Sequence, residues 1–258
     1  MEQKIPKIIH YCWLSGDPKP EKIQKCIDSW SEHMPDYEII CWDMNRFDIN
    51  SNLYVKAACA ERKWAFAADY IRVYALYNYG GIYFDSDVTV YQNFDPFLKH
   101  SVFTCTELNQ LAYNKSIREG GYGKGGIGIE VAVMGSVPKH PWIKELMDFF
   151  EHKEFIDRHD AMRKNIMSQV AADISYSKHG FKFDPSYQIL DGDVHIYPPD
   201  VFSKQTPCSL IKYSTHWCEN SWVDHSAPNY SFKDKVKIFF VHDLIGVNNW
   251  NKIKSKFM

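Results

Sequence analysis

Two aspartates one residue apart, Asp85 and Asp87, close the run YNYGGIYFDSDV at residues 77–88. Carboxylates are hard oxygen ligands suited to Mg²⁺ or Mn²⁺, and such ions keep positions open for water and phosphate oxygens. The chemistry this suggests is the holding of a metal-bound diphosphate. Alternate residues of an extended backbone point opposite ways, so a local bend is required before both acids can serve one ion. The plainer alternative is an exposed strand end with solvated aspartates. A second D-x-D, Asp191-Gly192-Asp193, has Gly at its centre between two β-like runs and reads as a tight hairpin turn. Ser86 does not favour such a turn.

An acid and a base precede the pair. In WAFAADYIRVYALYNYGG, Ala65, Ala68, Arg72, Ala75 and Tyr79 fall near one helical face, and Asp69 lies at i, i+3 spacing from Arg72. This is either an ordinary ion pair or an acid for sugar hydroxyls beside a guanidinium whose planar fork suits diphosphate.

The elements that must position these groups follow from periodicity. Lys7–Leu14 is β-rich, SGDPKP supplies turn residues, and Ile23, Cys26, Ile27 and Trp30 recur at helical spacing over 21–34. Strands are predicted at 37–42 and 82–84, with helices at 53–61 and 64–79, the latter ended by Gly80-Gly81. Alternation of this kind predicts an α/β layer fold with an at least partly parallel sheet, whose ligand crevice lies beyond the carboxyl ends of strands. Trp13, Asp43 and Asp85 follow such ends. Residues 109–128 read as a polar, Gly-rich, mobile loop, 131–134 as a strand, and 141–151 as a helix with Pro at its first turn. A further helix is expected over 160–174, a hairpin over 188–197, a bend at PPDVF and an irregular polar and aromatic segment at 215–222.

Composition narrows the function classes. The chain has 258 residues, 45% of them hydrophobic, enough for one large domain or a domain with a small appendage. A net charge of −2 gives no composition-level argument for nucleic-acid binding. Seven scattered cysteines without C-x-x-C suggest neither a disulfide framework nor a zinc site, and fit a reduced, cytoplasmic setting. The N-terminus lacks signal-peptide features, and no window approaches 18 uninterrupted apolar residues. From Ser231 to Met258, six lysines interleave with aromatic and aliphatic residues. That segment reads either as a peripheral contact with an anionic membrane or as a last strand and helix with solvated lysines.

The composite AFAADYIRVYALYNYGGIYFDSDV, together with IPKIIHYCWLSG, resembles the DXD-containing sugar transferases of glycosyltransferase family 32. That family includes bacterial capsule and O-antigen transferases and is related to the catalytic domains of the large glucosylating toxins. The similarity covers residues 5–95, with weaker echoes at GIEVAVMGSVPKHPW and STHWCENSW. It implies a GT-A type α/β fold with a mixed, mostly parallel central sheet. A catalytic domain over 1–230 would divide into a donor-binding half (1–95) and an acceptor side with its closing loop (96–230), followed by the basic segment 231–258.

The resemblance also implies roles. Tyr11, Cys12, Trp13, Ala68, Tyr83 and Ser86 fall at donor-contacting positions, with Trp13 stacking on the nucleotide base, although the residues alone read Trp13 as a core side chain. Asp69 and Arg72 contact the donor sugar and diphosphate. Asp85, Asp87 and His216 hold Mn²⁺ or Mg²⁺, Asp87 directly and Asp85 through water and ribose, while Asn220, Ser221 and Trp222 close over the diphosphate. His216 also has a purely structural reading. Where many relatives carry Asn, this chain has Glu130. That carboxylate would act at the anomeric carbon, as nucleophile or as stabiliser of an oxocarbenium-like state, or else bind an acceptor hydroxyl or cap the strand.

The expected activity is retaining transfer of a hexose or N-acetylhexosamine from a nucleotide diphosphate sugar, UDP-linked, to a glycan or lipid-linked glycan in capsule or O-antigen synthesis. The expected setting is the cytoplasm, at the inner face of the membrane. Two rivals stand beside it: a nucleotide-sugar-binding module without turnover, and a haloacid dehalogenase-type phosphatase, since FDSDVT fits D-x-D-x-T.

Overall fold

The computed structural model describes residues 2–151, 153–155, 166–203 and 212–218. The sites expected at Asn220, Ser221 and Trp222, and the basic segment 231–258, lie outside these residues. In chain order the elements are β1 (Ile8–Cys12), α1 (Glu21–His33), β2 (Glu38–Trp42), α2 (Leu53–Ala60), α3 (Trp64–Tyr79), β3 (Gly81–Phe84), β4 (Val88–Val90), β5 (Val102–Leu108) and α4 (Gln110–Arg118). There follow β6 (Ile127–Ile129), β7 (Val133–Ser136), α5 (Pro141–Glu151), α6 (Met167–Lys178), β8 (Gln188–Leu190), β9 (Val194–Tyr197), the short α7 (Pro199–Phe202) and β10 (Ser214–His216).

The main sheet runs β2-β1-β3-β7-β5-β9-β8, with β6 also paired to β5. Strands β2, β1, β3, β5 and β9 share one direction, and β6, β7 and β8 oppose it. The fold is α/β with a mixed, mostly parallel sheet, as expected. One apolar cluster joins the sheet to α2, α3, α5 and α6, and a second joins it to α1, β4 and α7. No helix among the described residues is long and apolar enough to cross a membrane.

Helix α3 is apolar around most of its circumference, with Phe66, Ala67, Ala68, Tyr70, Ile71, Val73, Ala75 and Leu76 all buried. It stops because Gly80 takes φ +67° and donates its N–H to the Leu76 carbonyl. A side chain at Gly80 would meet Pro138, and one at Gly81 (φ +97°) would meet the Ile8 carbonyl, so β3 can leave the helix flush against β1. On the other face, Trp30 of α1 donates Nε1–H to Val88 O at 2.8 Å, and Ser29 Oγ accepts from Val90 N at 3.0 Å. Helix α1 thereby holds β4.

Several elements differ from expectation. Residues 109–128 contain α4 and β6 rather than loop alone, and Asn109 caps α4 by accepting from Ala112 N–H at 3.1 Å. Helix α6 spans Met167–Lys178, running past the expected end at 174, while residues 160–165 of the expected helix lie outside the described residues; PPDVF includes a helical turn, and the segment read as irregular at 215–222 begins in β10. Strands β4 and β5 had no clear sequence signal.

Candidate active site

Strand β3 is buried throughout and delivers Asp85 to the carboxyl edge of the sheet. There Val88 N–H donates to Asp85 O at 3.0 Å, closing a turn, and Asp85 N–H donates to Ala132 O at 2.9 Å. Ser86 therefore does lie in a turn, contrary to expectation, but one without positive φ at Ser86 or Asp87. Gly192 and Asp193 instead have φ +82° and +60°, left-handed residues in the three-residue loop that joins Leu190 to its partner Val194. The second D-x-D folds β8 onto β9, whereas the first turns the chain out of the main sheet into β4. That is the bend two carboxylates need.

Strand β4 pairs antiparallel with β10, setting His216 opposite Val88. His216 Nε2 lies 3.5 Å from Asp87 Oδ1 and 3.9 Å from Asp85 Oδ2. Trp217 N–H donates to Asp87 O at 3.2 Å and its indole to Thr89 Oγ1 at 2.8 Å, locking the two strands together. Two ligands of one ion, each about 2.1 Å from it, span such separations. Two carboxylate oxygens and one imidazole nitrogen form a donor set that fits Mn²⁺, and Mg²⁺ less well because of the nitrogen.

Arg72 is buried, and its Nη2 lies 3.2 Å from both Asp69 Oδ1 and Asp85 Oδ1. Its guanidinium sits 5.0 Å above the Tyr83 ring, and its Nε has no hydrogen-bond partner among the described residues. Burial works against the Arg72 charge, but Asp85, Tyr83 and Asp69 more than restore it. Burial pushes the Asp69 carboxyl up to about 7; Arg72 opposes this and Asp85 adds to it. One guanidinium nitrogen thus bridges the buried acid of α3 and the first acid of the D-x-D.

Tyr11, Ala68 and Tyr83, expected at donor-contacting positions, are largely buried, 7%, 7% and 1% exposed. Tyr83 supports Arg72, and Tyr11 packs edge-on against Trp30. Burial pushes the Cys12 thiol up to about 12, so it is not a reactive group. Trp13 is half-buried at the end of β1, with its indole N–H on Asp17 O at 2.7 Å and Lys19 Nζ 5.6 Å from its ring.

Residues 20–104 match the family described as glycosyltransferase sugar-binding region containing DXD motif. Asp69, Arg72, Asp85 and Asp87 lie inside this sugar-binding region; Trp13, Glu130 and His216 lie outside it. The chain is similar to mannosyl phosphorylinositol ceramide synthase CSH1 of Saccharomyces cerevisiae, 31% identical over 58% of this chain and 36% of that protein. It is also similar to inositol phosphoceramide mannosyltransferase 2 of Schizosaccharomyces pombe, 32% identical over 58% of this chain and 39% of the relative. The chain thus spans less than half the length of these curated relatives. Among solved structures, PaToxG glycosyltransferase aligns over 68% of this chain and 70% of its own at 17% identity, with a TM-score of 0.47. Galactosyltransferase LgtC aligns over 82% and 87% at 15% identity, with a TM-score of 0.40.

Beyond the sugar-binding region, Glu130 stands on a bulge. Strand β5 pairs with β7 at Phe103–Gly135 and with β6 at Thr106–Ile129, so Thr104 and Cys105 oppose the five residues 130–134. Thr104 Oγ1 pins the bulge, donating to Glu130 O at 2.6 Å with Val133 O at 2.9 Å. The Glu130 side chain is buried; Oε1 accepts from Val131 N (3.0 Å) and Ala132 N (2.9 Å), while Oε2 accepts from Ser203 Oγ (2.5 Å) and lies 3.4 Å from His216 Nδ1. A carboxylate enclosed in this way offers no free oxygen to an anomeric carbon, so its expected place as nucleophile or stabiliser at that carbon is corrected. Burial alone would raise its pKa; the positive charge of His216 and these hydrogen bonds hold it below the usual carboxylate range. Glu130 in turn raises His216 against its own burial. Ser203, Thr104 and Trp217 were invisible to motif reading, since each acts through backbone or through another side chain.

A second cluster, His100, Asp193 and His195, lies at the opposite, amino edge of the sheet, because β9 runs parallel to β5. Asp193 accepts from Lys4 Nζ (3.0 Å), Ser101 N (2.9 Å) and Ser101 Oγ (2.7 Å), and meets His195 Nε2 at 2.8 Å. His195 Nδ1 meets Tyr187 Oη at 2.6 Å, and the two imidazoles stack at 3.6 Å. Face-to-face rings cannot both direct a lone pair at one ion, so this is a polar clamp between strand ends. Lying at the other edge, Asp193 supplies no second acidic site beside Asp85 and Asp87.

Proposed function

We propose that the chain is a metal-dependent glycosyltransferase that moves a hexose from a nucleotide diphosphate sugar to a hydroxyl of a glycan or lipid-linked glycan, with retention. The observation that carries this reading is the convergence of Asp85, Asp87 and His216 beside the Asp69–Arg72 pair at the carboxyl edge. The two carboxylates and the imidazole would hold Mn²⁺, or Mg²⁺, which when bound offsets charge on a departing diphosphate. Arg72 supplies a fixed positive charge beside the same oxygens, a form of preorganised stabilisation that is usually the largest catalytic term. Asp69 is the acceptor for donor sugar hydroxyls, and the half-buried Trp13 offers an aromatic surface to the base.

Because Glu130 is enclosed, same-face transfer is favoured over a covalent route. The bond from C1 to the phosphate oxygen breaks as the acceptor oxygen bonds to C1 on that face. The acceptor's proton passes to the departing phosphate oxygen.

The relatives are named for mannose and inositol phosphoceramide, and none of those reported is named for capsule or O-antigen synthesis. Mannosyl donors and inositol-phosphate glycolipid acceptors therefore head the assay, ahead of UDP-hexoses and bacterial surface glycans. A lipid-linked acceptor goes with work at the inner face of a membrane.

A panel of UDP- and GDP-sugars incubated with Mn²⁺ should show slow hydrolysis of one donor, abolished in Asp87→Ala. Tight donor binding with neither hydrolysis nor transfer would make the chain a binding module. An inverted anomeric configuration of the product by NMR would rule out retention.

A further inference from the structure

We propose that Glu130 is a positioning residue that fixes the proton of His216 on Nδ1, so that Nε2 is presented as a bare lone pair to the ion between Asp85 and Asp87. This rests on the metal reading above. An ionised carboxylate only accepts hydrogen bonds, so the ring nitrogen facing Glu130 Oε2 carries the hydrogen. When the ion takes the place of the Nε2 proton, the one hydrogen left on the ring is that on Nδ1, and Nε2 is the nitrogen facing Asp87 and Asp85. A carboxylate behind a ligating histidine both sets the ring's orientation and raises its basicity.

The fold keeps Glu130 itself from turning. Its Oε1 is held by two backbone N–H groups released by the bulge, and its Oε2 by Ser203, whose carbonyl also accepts His216 N–H at 3.1 Å. Ser203 holds the backbone of His216 and Glu130 its ring, with Cys218 Sγ also 3.5 Å from Nδ1.

The substitution that tests this is Glu130→Gln. The amide oxygen can keep both backbone hydrogen bonds, but an NH₂ group then faces Nδ1, demands a lone pair there and moves the ring proton to Nε2. Mn²⁺ affinity, read from free Mn²⁺ by electron paramagnetic resonance, is expected to fall about 10- to 100-fold, in a variant that circular dichroism shows to be folded. His216→Ala should weaken binding comparably, and Glu130→Gln added to His216→Ala should change nothing more. Wild-type affinity in Glu130→Gln, or full additivity in the double variant, would overturn the proposal. Should Glu130→Gln not fold, Ser203→Ala frees Oε2 without touching the bulge; a smaller, severalfold loss is expected, and no loss would overturn the proposal equally. Wild-type Mn²⁺ affinity in Asp87→Ala would instead count against the metal site itself.

Discussion

Arg72 joins α3 to the end of β3, because one guanidinium nitrogen serves a carboxylate from each. Lysine carries the charge without the fork, so Arg72→Lys should still fold but lose about 10²–10³ in kcat, read in the donor hydrolysis assay. Asp69 gives a pH test. Its folded pKa of about 7 exceeds the ordinary value of 3.8, so between those limits the folded chain holds a proton that the unfolded chain has released. Stability from this group is therefore greatest at low pH and falls as pH rises toward about 7. Asp69→Asn should flatten the melting-temperature profile across that interval. The spacing of Asp69 and Arg72 was legible in the sequence; their burial, which lifts the Asp69 pKa, was not. Glu130 was legible only as a departure from a pattern, since nothing local announces a bulge whose extra residues are counted against a distant strand.

At the scale of elements, His10 ties three together. Its Nε2 lies 2.8 Å from Gly80 O at the end of α3, and its Nδ1 accepts from Trp42 Nε1 of β2 at 3.2 Å. Burial lowers its pKa to about 4, and both contacts use the neutral ring. The unfolded histidine protonates near 6.5, so stability from this group is complete above that value and drains away as pH falls toward about 4. His10→Gln, which does not titrate, should remove that acid limb from a urea-denaturation series. Helices α1 and α3 and strands β1 to β3 were readable because periodicity, the Gly pair and turn residues agree. Strand β5 was not: Thr104 and Thr106 are buried among its apolar residues, which erases the alternation expected of a half-exposed strand. Helix α4 has no fully buried residue, so its sequence looks like loop.

For the whole molecule, the two edges of the sheet divide the work. The carboxyl edge gathers the groups proposed for chemistry, and the amino edge is closed by the clamp of Lys4, Ser101, Asp193 and His195. Asp193→Asn should cost about 1–2 kcal/mol, since partly exposed ion pairs are weak and the hydrogen bonds to Ser101 are ordinary. Thermal unfolding should detect a shift of several degrees while the donor-hydrolysis rate at 25 °C stays at wild type. A fall in rate at a temperature where the variant is folded would mean that the two edges are coupled. The α/β class and the carboxyl-edge placement were legible from alternation alone; the meeting of residue 216 with residue 87 was not, because it is a pairing between short strands far apart in sequence.

That pairing bears on how the molecule comes to be active. Asp87 and His216 are separated by half the chain, and β4 and β10 meet over three residues each. A ladder so short and so non-local carries a large loop-closure penalty and belongs among the later events of folding. The nascent chain would carry its two aspartates long before their third companion arrives. A divalent ion held by all three, as proposed, would act as a ligand of the completed state alone, drawing β10 into place by mass action.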